Sequence, residues 1–238
     1  MKTKEILQSV AHRPWEIPTG RWKFYQEWNN AIFLHWEVSL EALQNFVPKG
    51  FEIDTINGKP WVSLVAFNME KIRPHCLPAL APISNFHEIN VRTYVKYKGK
   101  QGVYFLSIEG GNPLSCKLAK AISGLPYRYS KMMRESNWYH SDNRDMKDQF
   151  IVNYDCGERI KKKTNLDKWL TERYALFVDV GHNDYKYEIH HVEWPIQKLF
   201  LNQIEVNYNR FKSLINNTPD LMHYSKGVEV IAWGREEV

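Results

Sequence analysis

Apolar and polar positions alternate with a period of two along most of this chain. The segment FHEINVRTYV shows the pattern plainly: Ile89, Val91, Thr93 and Val95 fall on one face of an extended stretch, and Glu88, Asn90, Arg92 and Tyr94 on the other. WNNAIFLHWEV, NWYHSD, QFIVNYD, RYALFVDV, YKYEIHHVEW, IEVNY and GVEVIAW also read as strands. Turn signals separate them: Asn57-Gly58 predicts one hairpin over residues 51–72, and Gly99 a second over residues 86–110.

Helical spacing is confined to four places. Residues 3–12 form a candidate leading helix. SLEALQNFV follows a cap at Ser39, with Leu40, Leu43, Phe46 and Val47 on one face. Asn112 caps a helix whose first residue is Pro113, whose apolar face is Leu114, Leu118, Ala121 and Ile122, and which Gly124 stops. NLDKWLTE forms the last, behind a cap at Asn165. No repeat or linker divides the chain, so the pattern predicts one mainly β (α+β) domain over residues 1–238, with a few helices packed on its sheet.

Hydrophobic residues make up 43% and aromatics 14% of the 238 residues, enough for a sizeable core with aromatic rings left to line a cavity. The 32 basic residues outnumber the 27 acidic ones, but the excess of +5 is spread along the chain, which argues against a nucleic-acid surface. The one basic run, Lys161-Lys162-Lys163, reads as a solvated turn. Three cysteines without a C-x-x-C pair read as reduced thiols. The polar N-terminus and the lack of a roughly 20-residue apolar stretch predict a cytoplasmic location with no membrane span.

The common motifs of hydrolases, zinc proteases and nucleotide-binding proteins are missing, so no cofactor is expected. In HHVEWP the adjacent His190 and His191 point to opposite sides of a strand and do not share an ion, so no metal site is expected. Two places retain chemical interest. The Glu88 face is either a solvated polar side or the lining of an interior, with Glu88 and Arg92 about 13 Å apart along the strand. GLPYRYSKM alternates aromatic and basic side chains directly after a helix stop.

In order, HRPWEIPTGRW, FLHWEV, VPKGFEIDT, FHEINVRTYV, GVYFLSIE, GLPYRYSKM, LTERYALF and HYSKGVEVIAW resemble the YqjF-like family of bacterial proteins of uncharacterised function. The order of VPKGFEID, FHEI, KYKGKQGVY and GLPYR is more distantly similar to that of acetoacetate decarboxylases. This second resemblance implies a curved antiparallel β-cone around a cavity, with Glu88 in the place of the glutamate of a Y-x-E motif. It also shows a departure. The decarboxylases carry G-x-P-K-K where this chain has Tyr127 and Arg128, so the Schiff-base lysine is missing; tyrosine forms no imine and arginine stays protonated. Val65 stands where another cavity acid is expected.

Lys117 and Lys120 fall on the helix face expected to be solvated, and Lys131 lies four residues past the nucleophile's slot. What the resemblance implies is a cavity lined by Glu88, Arg92, Tyr127 and Arg128, with His35 in addition. Glu88 would act as acid or base assisted by Tyr127, and a small anionic or conjugated molecule would be the ligand. The alternative is an interaction protein whose cone is filled by its own side chains and whose partner surface includes Trp138, Tyr139 and His140. One chain does not reveal an oligomeric state.

Overall fold

The structure, a computed structural model, describes residues 3–181 and 183–238. Its strands are β1 (Phe24–Glu37), β2 (Glu52–Ile53), β3 (Trp61–Pro74), β4 (Phe86–Tyr97), β5 (Lys100–Gly110), β6 (Tyr127–Tyr129), β7 (Lys131–Glu135), β8 (Trp138–Asn143), β9 (Asp148–Arg159), β10 (Ala175–Val180), β11 (Asn183–His190), β12 (Ile196–Asn207), β13 (Leu221–Ala232) and β14 (Glu236–Glu237). Its helices are α1 (Thr3–Gln8), α2 (Leu40–Gln44), α3 (Ala81–Ser84), α4 (Pro113–Ser123) and α5 (Asn165–Thr171). The fold is mainly β, as the alternation predicts.

The strands run in the order β11-β10-β5-β4-β3-β1-β13, and β11 also pairs with β13 through Ile189↔Ala232 and His190↔Ile231. That last pairing closes the sheet into an uneven, cone-like ring. From β13 the sheet continues through β12, β9, β8 and β7. This extension covers the outside of the ring, packing Tyr139, Phe150, Val152 and Tyr154 against Ile32, Leu34, Leu64, Ile89 and Val91. The inner face carries Phe33, Val65, Phe67, Trp194 and Val230 towards one end. Towards the other end it carries Tyr94, Leu176 and Val178, with Leu170 of α5 packed among them.

Because β1, β3 and β4 have packed material on both sides, the polar side of FHEINVRTYV is not solvated. Glu88 is 3%, Asn90 3% and Arg92 8% exposed. The chain before β1 straps the outside of β11: the Arg13 guanidinium donates to Ile189 O at 2.6 Å and to Glu188 at 3.0 Å, and Trp15 Nε1 donates to Glu188 at 2.8 Å.

Several expectations need correction. The Asn57-Gly58 turn forms, with φ of 53° and 76°, but its arms do not make a hairpin. β2 pairs with β4, while β3 lies between β1 and β4, so the apolar runs on either side of the turn find other partners. The β4–β5 hairpin does form, turning at Lys98-Gly99 with φ of 47° and 80°. The sheet is mainly antiparallel, as expected, with β10 and β6 both parallel to β5. α1 ends at Gln8, and α5 is capped by Thr164, whose side chain accepts from Asp167 N while Asp167 accepts from Thr164 N. Lys163 is not a solvated turn residue: its ammonium lies 2.5 Å from the buried Glu172 carboxylate.

The largest correction concerns α4. Asn112, Pro113 and Gly124 start and stop it as predicted. Its apolar face, however, points outward, with Leu114 54%, Leu118 39% and Ile122 59% exposed. The buried side presents Ser115, which donates to Ile83 O, and Cys116, whose thiol reaches Gly110 O and Arg128 O. Small polar side chains face inward here because the helix lies close over backbone carbonyls that need donors. Tyr139, expected on a partner surface, is fully buried against Phe150; Trp138 and His140, its neighbours on β8, alternate with it.

Candidate active site in the ring interior

Gly124 adopts φ 72°, which a residue with a Cβ rarely does, and this left-handed stop reverses the chain into β6. β6 then lies along β5, with Ile108 opposite Tyr127, and brings the Tyr127 hydroxyl to Glu88. The hydroxyl donates to Glu88 Oε2 at 2.8 Å, and Asn90 Nδ2 lies 3.5 Å from Oε1. Burial raises the Glu88 carboxyl from its ordinary 4.5 to about 7, against the opposing pull of the Tyr127 and Asn90 hydrogen bonds. A carboxyl held near neutrality can both give and take a proton.

Arg128 is not part of this group. It follows Tyr127 on β6 and so points to the other side of the strand, towards Asp148 on β9, whose carboxyl burial raises above its ordinary range against the smaller opposing pull of the Arg128 charge. Lys131 is exposed.

The second polar group lies farther along the same face of β4. In neighbouring strands, His35, Ser63 and Arg92 stand side by side. His35 Nδ1 is 2.6 Å from Ser63 Oγ, which is 2.6 Å from the Tyr94 hydroxyl. On its other side His35 Nε2 is 3.1 Å from His223 Nδ1, and His223 Nε2 is 2.9 Å from Asp167 Oδ1. The Tyr94 hydroxyl also lies 2.9 Å from Leu170 O, near the end of α5, so its one proton can go to Ser63 or to that carbonyl. Burial first, and then the charges of His223 and Arg92, hold His35 well below the usual histidine range.

Arg92 is buried without a carboxylate partner among the described residues. Its guanidinium reaches Leu170 O only at 3.4 Å, lies 5.8 Å from the Phe33 ring centre, and leaves Nε unbonded. Burying a cation without a counter-charge is costly. The outcome for the expected lining is therefore divided: Glu88 meets Tyr127, Arg92 and His35 share the same inner face on either side of Ser63, and Arg128 turns away. Sequence reading missed Ser63, His223 and Asp167. The only local signal for them was the alternation that puts His223 of HYSKGVEV and Ser63 of VSLVAF on the inner side of their strands.

Two surface pockets lie outside this face. One, of about 230 Å³, opens between β6 and β10 beside Phe105, Leu125, Pro126 and Val178. The other, of about 310 Å³, is lined by Tyr129, Lys131, Asp142, Arg144 and Asp145. Among the described residues no cluster suits a metal ion. His190 and His191 instead donate to Ile6 O and Val192 O, and burial pulls both down to about 4. None of the described helices is long and apolar enough to cross a membrane.

The fold resembles that of solved structures of low sequence identity. Acetoacetate decarboxylase from Legionella pneumophila superposes with a TM-score of 0.63 at 13% identity, covering 98% of this chain and 94% of that one. The enduracididine biosynthesis enzyme MppR, in its complex with pyruvate, superposes with a TM-score of 0.60 at 10% identity, covering 94% and 93%. In sequence, the chain is 33% identical over 228 residues to the uncharacterized protein YqjF of Bacillus subtilis (strain 168), covering 91% of this chain and 93% of that protein. Residues 25–229 match DUF2071, described as an uncharacterized conserved protein. The chain is thus a member of the DUF2071 family, YqjF-like in sequence and acetoacetate decarboxylase-like in fold.

Proposed function

We propose that this protein takes a small carboxylate-bearing molecule into the ring interior, with Arg92 holding the anion and Glu88, assisted by Tyr127, exchanging a proton with it. The observation that carries this reading is the presence on one inner face, about 13 Å apart along β4 by the strand rise, of a buried guanidinium lacking a carboxylate and a buried carboxyl near neutrality. Arginine offers a planar fork of donors that suits a carboxylate. The pocket between β6 and β10 borders Leu125 and Pro126, next to Tyr127 in the chain. The pyruvate complex of MppR is in keeping with such a guest in this fold. The free thiols of Cys76, Cys116 and Cys156 agree with a reducing, cytoplasmic setting.

Catalysis through a Schiff base is not part of this reading. Tyr127 and Arg128 occupy the slots of the decarboxylase lysines, and Lys117, Lys120 and Lys131 are exposed, outside the apolar surroundings that lower an amine's pKa. Borohydride reduction in the presence of acetoacetate is expected to leave every lysine unmodified, and a mass increase on Lys131 would overturn that. The reading itself is tested by native mass spectrometry of protein purified from its source, together with calorimetric titration with pyruvate. A retained small acid or a saturable heat supports it; the absence of both sinks it.

The Glu88 assignment has a separate check. Because the folded carboxyl titrates near 7 rather than near 4.5, the folded protein holds a proton that the unfolded chain releases. Its stabilisation is complete below pH 4.5 and is lost as pH rises through 7, and at 1.36 kcal/mol per pH unit the gap is worth about 3 kcal/mol. Urea unfolding between pH 4 and pH 8 is expected to show wild type losing that much relative to Glu88→Gln, and parallel profiles would count against a neutral Glu88.

A second reading, a protein-binding role, is favoured by the outward apolar stripe of α4, Leu114, Leu118 and Ile122, with exposed Leu77 and Leu80 elsewhere on the surface.

A further inference from the structure

The row of hydrogen bonds beside Arg92 runs Tyr94, Ser63, His35, His223, Asp167 without interruption, and it draws on β4, β3, β1, β13 and α5. Each interior member has one donor and one acceptor side, so the row can point in only two directions. In the first, the Tyr94 hydroxyl donates to Ser63, Ser63 to His35 Nδ1, His35 Nε2–H to His223 Nδ1, and His223 Nε2–H to the Asp167 carboxylate. In the second, every bond between Tyr94 and His223 is reversed. His223 then donates from both nitrogens, to His35 and to Asp167, and Tyr94 is released to donate to Leu170 O. The two directions differ by one proton, which resides on the imidazole pair in the second. The geometry accommodates both, since Tyr94 lies within bonding distance of Ser63 and of Leu170 O.

We infer that this row is a proton acceptor for the anion site: a carboxylate settling on Arg92 draws one proton from solvent onto the His35–His223 pair, so that the ligand binds together with a proton. The inference rests on the proposed binding of a small anion at Arg92. Its physical basis is charge. Facing the pair are Arg92, Tyr94 and Ser63 from the neighbouring strands, Asp167 from α5, Lys163 from the loop before it, and Arg173, which stacks on Tyr94 and carries the Asp54 ion pair. With the site empty, the unpaired Arg92 charge opposes an imidazolium beside it, and burial does the same. An anion on Arg92 removes that opposition, and Asp167 then stabilises the proton at His223. Ser63 and Tyr94 turn with it, so the Tyr94 hydroxyl changes from bonding Ser63 to bonding α5.

Calorimetric titration with pyruvate tests this at pH 7 in Tris, triethanolamine and imidazole, cationic buffers of different ionisation enthalpy that do not compete for Arg92. Proton uptake of up to about one per pyruvate is expected, with Kd rising up to about tenfold per pH unit as pH increases. His223→Gln and His35→Gln are expected to bind with no uptake and with a flat pH dependence. Asp167→Asn, which keeps the row's shape, is expected to reduce the uptake. Glu88 also titrates near 7, so Glu88→Gln separates the two proton sites: uptake that persists in this variant supports the relay. Uptake that disappears in Glu88→Gln but survives in His223→Gln overturns it. Binding with zero uptake in wild type overturns this inference alone, whereas no heat with pyruvate at any pH overturns it together with the binding reading.

Discussion

Arg173→Ala is expected to lower the free energy of unfolding by about 3–5 kcal/mol, the usual cost of removing one partner from a buried ion pair. Arg173 Nη1 lies 2.8 Å from Asp54 Oδ2, and the two side chains are 4% and 0% exposed. Asp54 belongs to the short segment after β2, and Arg173 follows α5, so this pair joins the end of the helix to the wall of the ring. Arg173 also donates to Trp169 O at 2.7 Å and lies 4.3 Å from the Trp169 ring centre. Without it the Asp54 carboxylate keeps, among the described residues, Lys96 and Gln101 as partners. Guanidinium chloride unfolding monitored by tryptophan fluorescence measures the loss, and a change under 1 kcal/mol would mean that water replaces the pair at little cost. Asp54→Asn with Arg173→Met should recover part of it, because a neutral pair leaves no charge stranded.

Arg92→Met should have the opposite sign. Here the buried cation has no carboxylate to lose, so an apolar chain of similar length relieves a desolvation cost. A gain of about 1–3 kcal/mol is expected, the range for a buried polar group left without its partner. The same substitution should weaken pyruvate binding by a factor of at least about ten, corresponding to loss of a charge-assisted hydrogen bond. A stabler protein that no longer binds would mark Arg92 as a functional residue retained at the expense of stability. A destabilised Arg92→Met would instead show that its contact with Leu170 O, capping the end of α5, is the reason the arginine is there. Arg128→Ala, on the other side of β6, should leave pyruvate affinity within about 0.5 kcal/mol, the ordinary scatter for surface changes.

The strand content, the Gly99 turn, the caps of α4 and the shared face of Glu88, Asn90 and Arg92 were legible because each is written in neighbouring residues. Alternation assigns two faces to a strand, but it does not say which face has cover. In β4 both do, and that follows only from ring closure and from the β7–β9 layer outside. The same limit explains α4. Its leucines recur at helical spacing, yet spacing reveals a stripe without revealing what lies opposite, and at this helix the ring offers carbonyls instead of an apolar surface. His35 bonds Ser63 across 28 residues of sequence and His223 across 188. Nothing local to any of the three marks the connection, because it is made by the register of β1 with β3 and of β1 with β13. Asp167 reads locally as an ordinary first-turn helix acid, which it also is.

The pairing of β1 with β13, from Phe24↔Ala232 to His35↔Leu221, also has a consequence for biosynthesis. The first long strand to leave the ribosome must wait for almost the last one before its second edge is covered. Until then β1 and β3 can pair, but the growing chain presents an open, strongly apolar edge that is free to join another copy. Such non-local closure is slow. The yield of native protein should therefore depend on chaperone supply and on the speed of translation through β13 more than on the stability of the finished ring, and a truncation that removes β13 should produce aggregates in place of a weakened monomer.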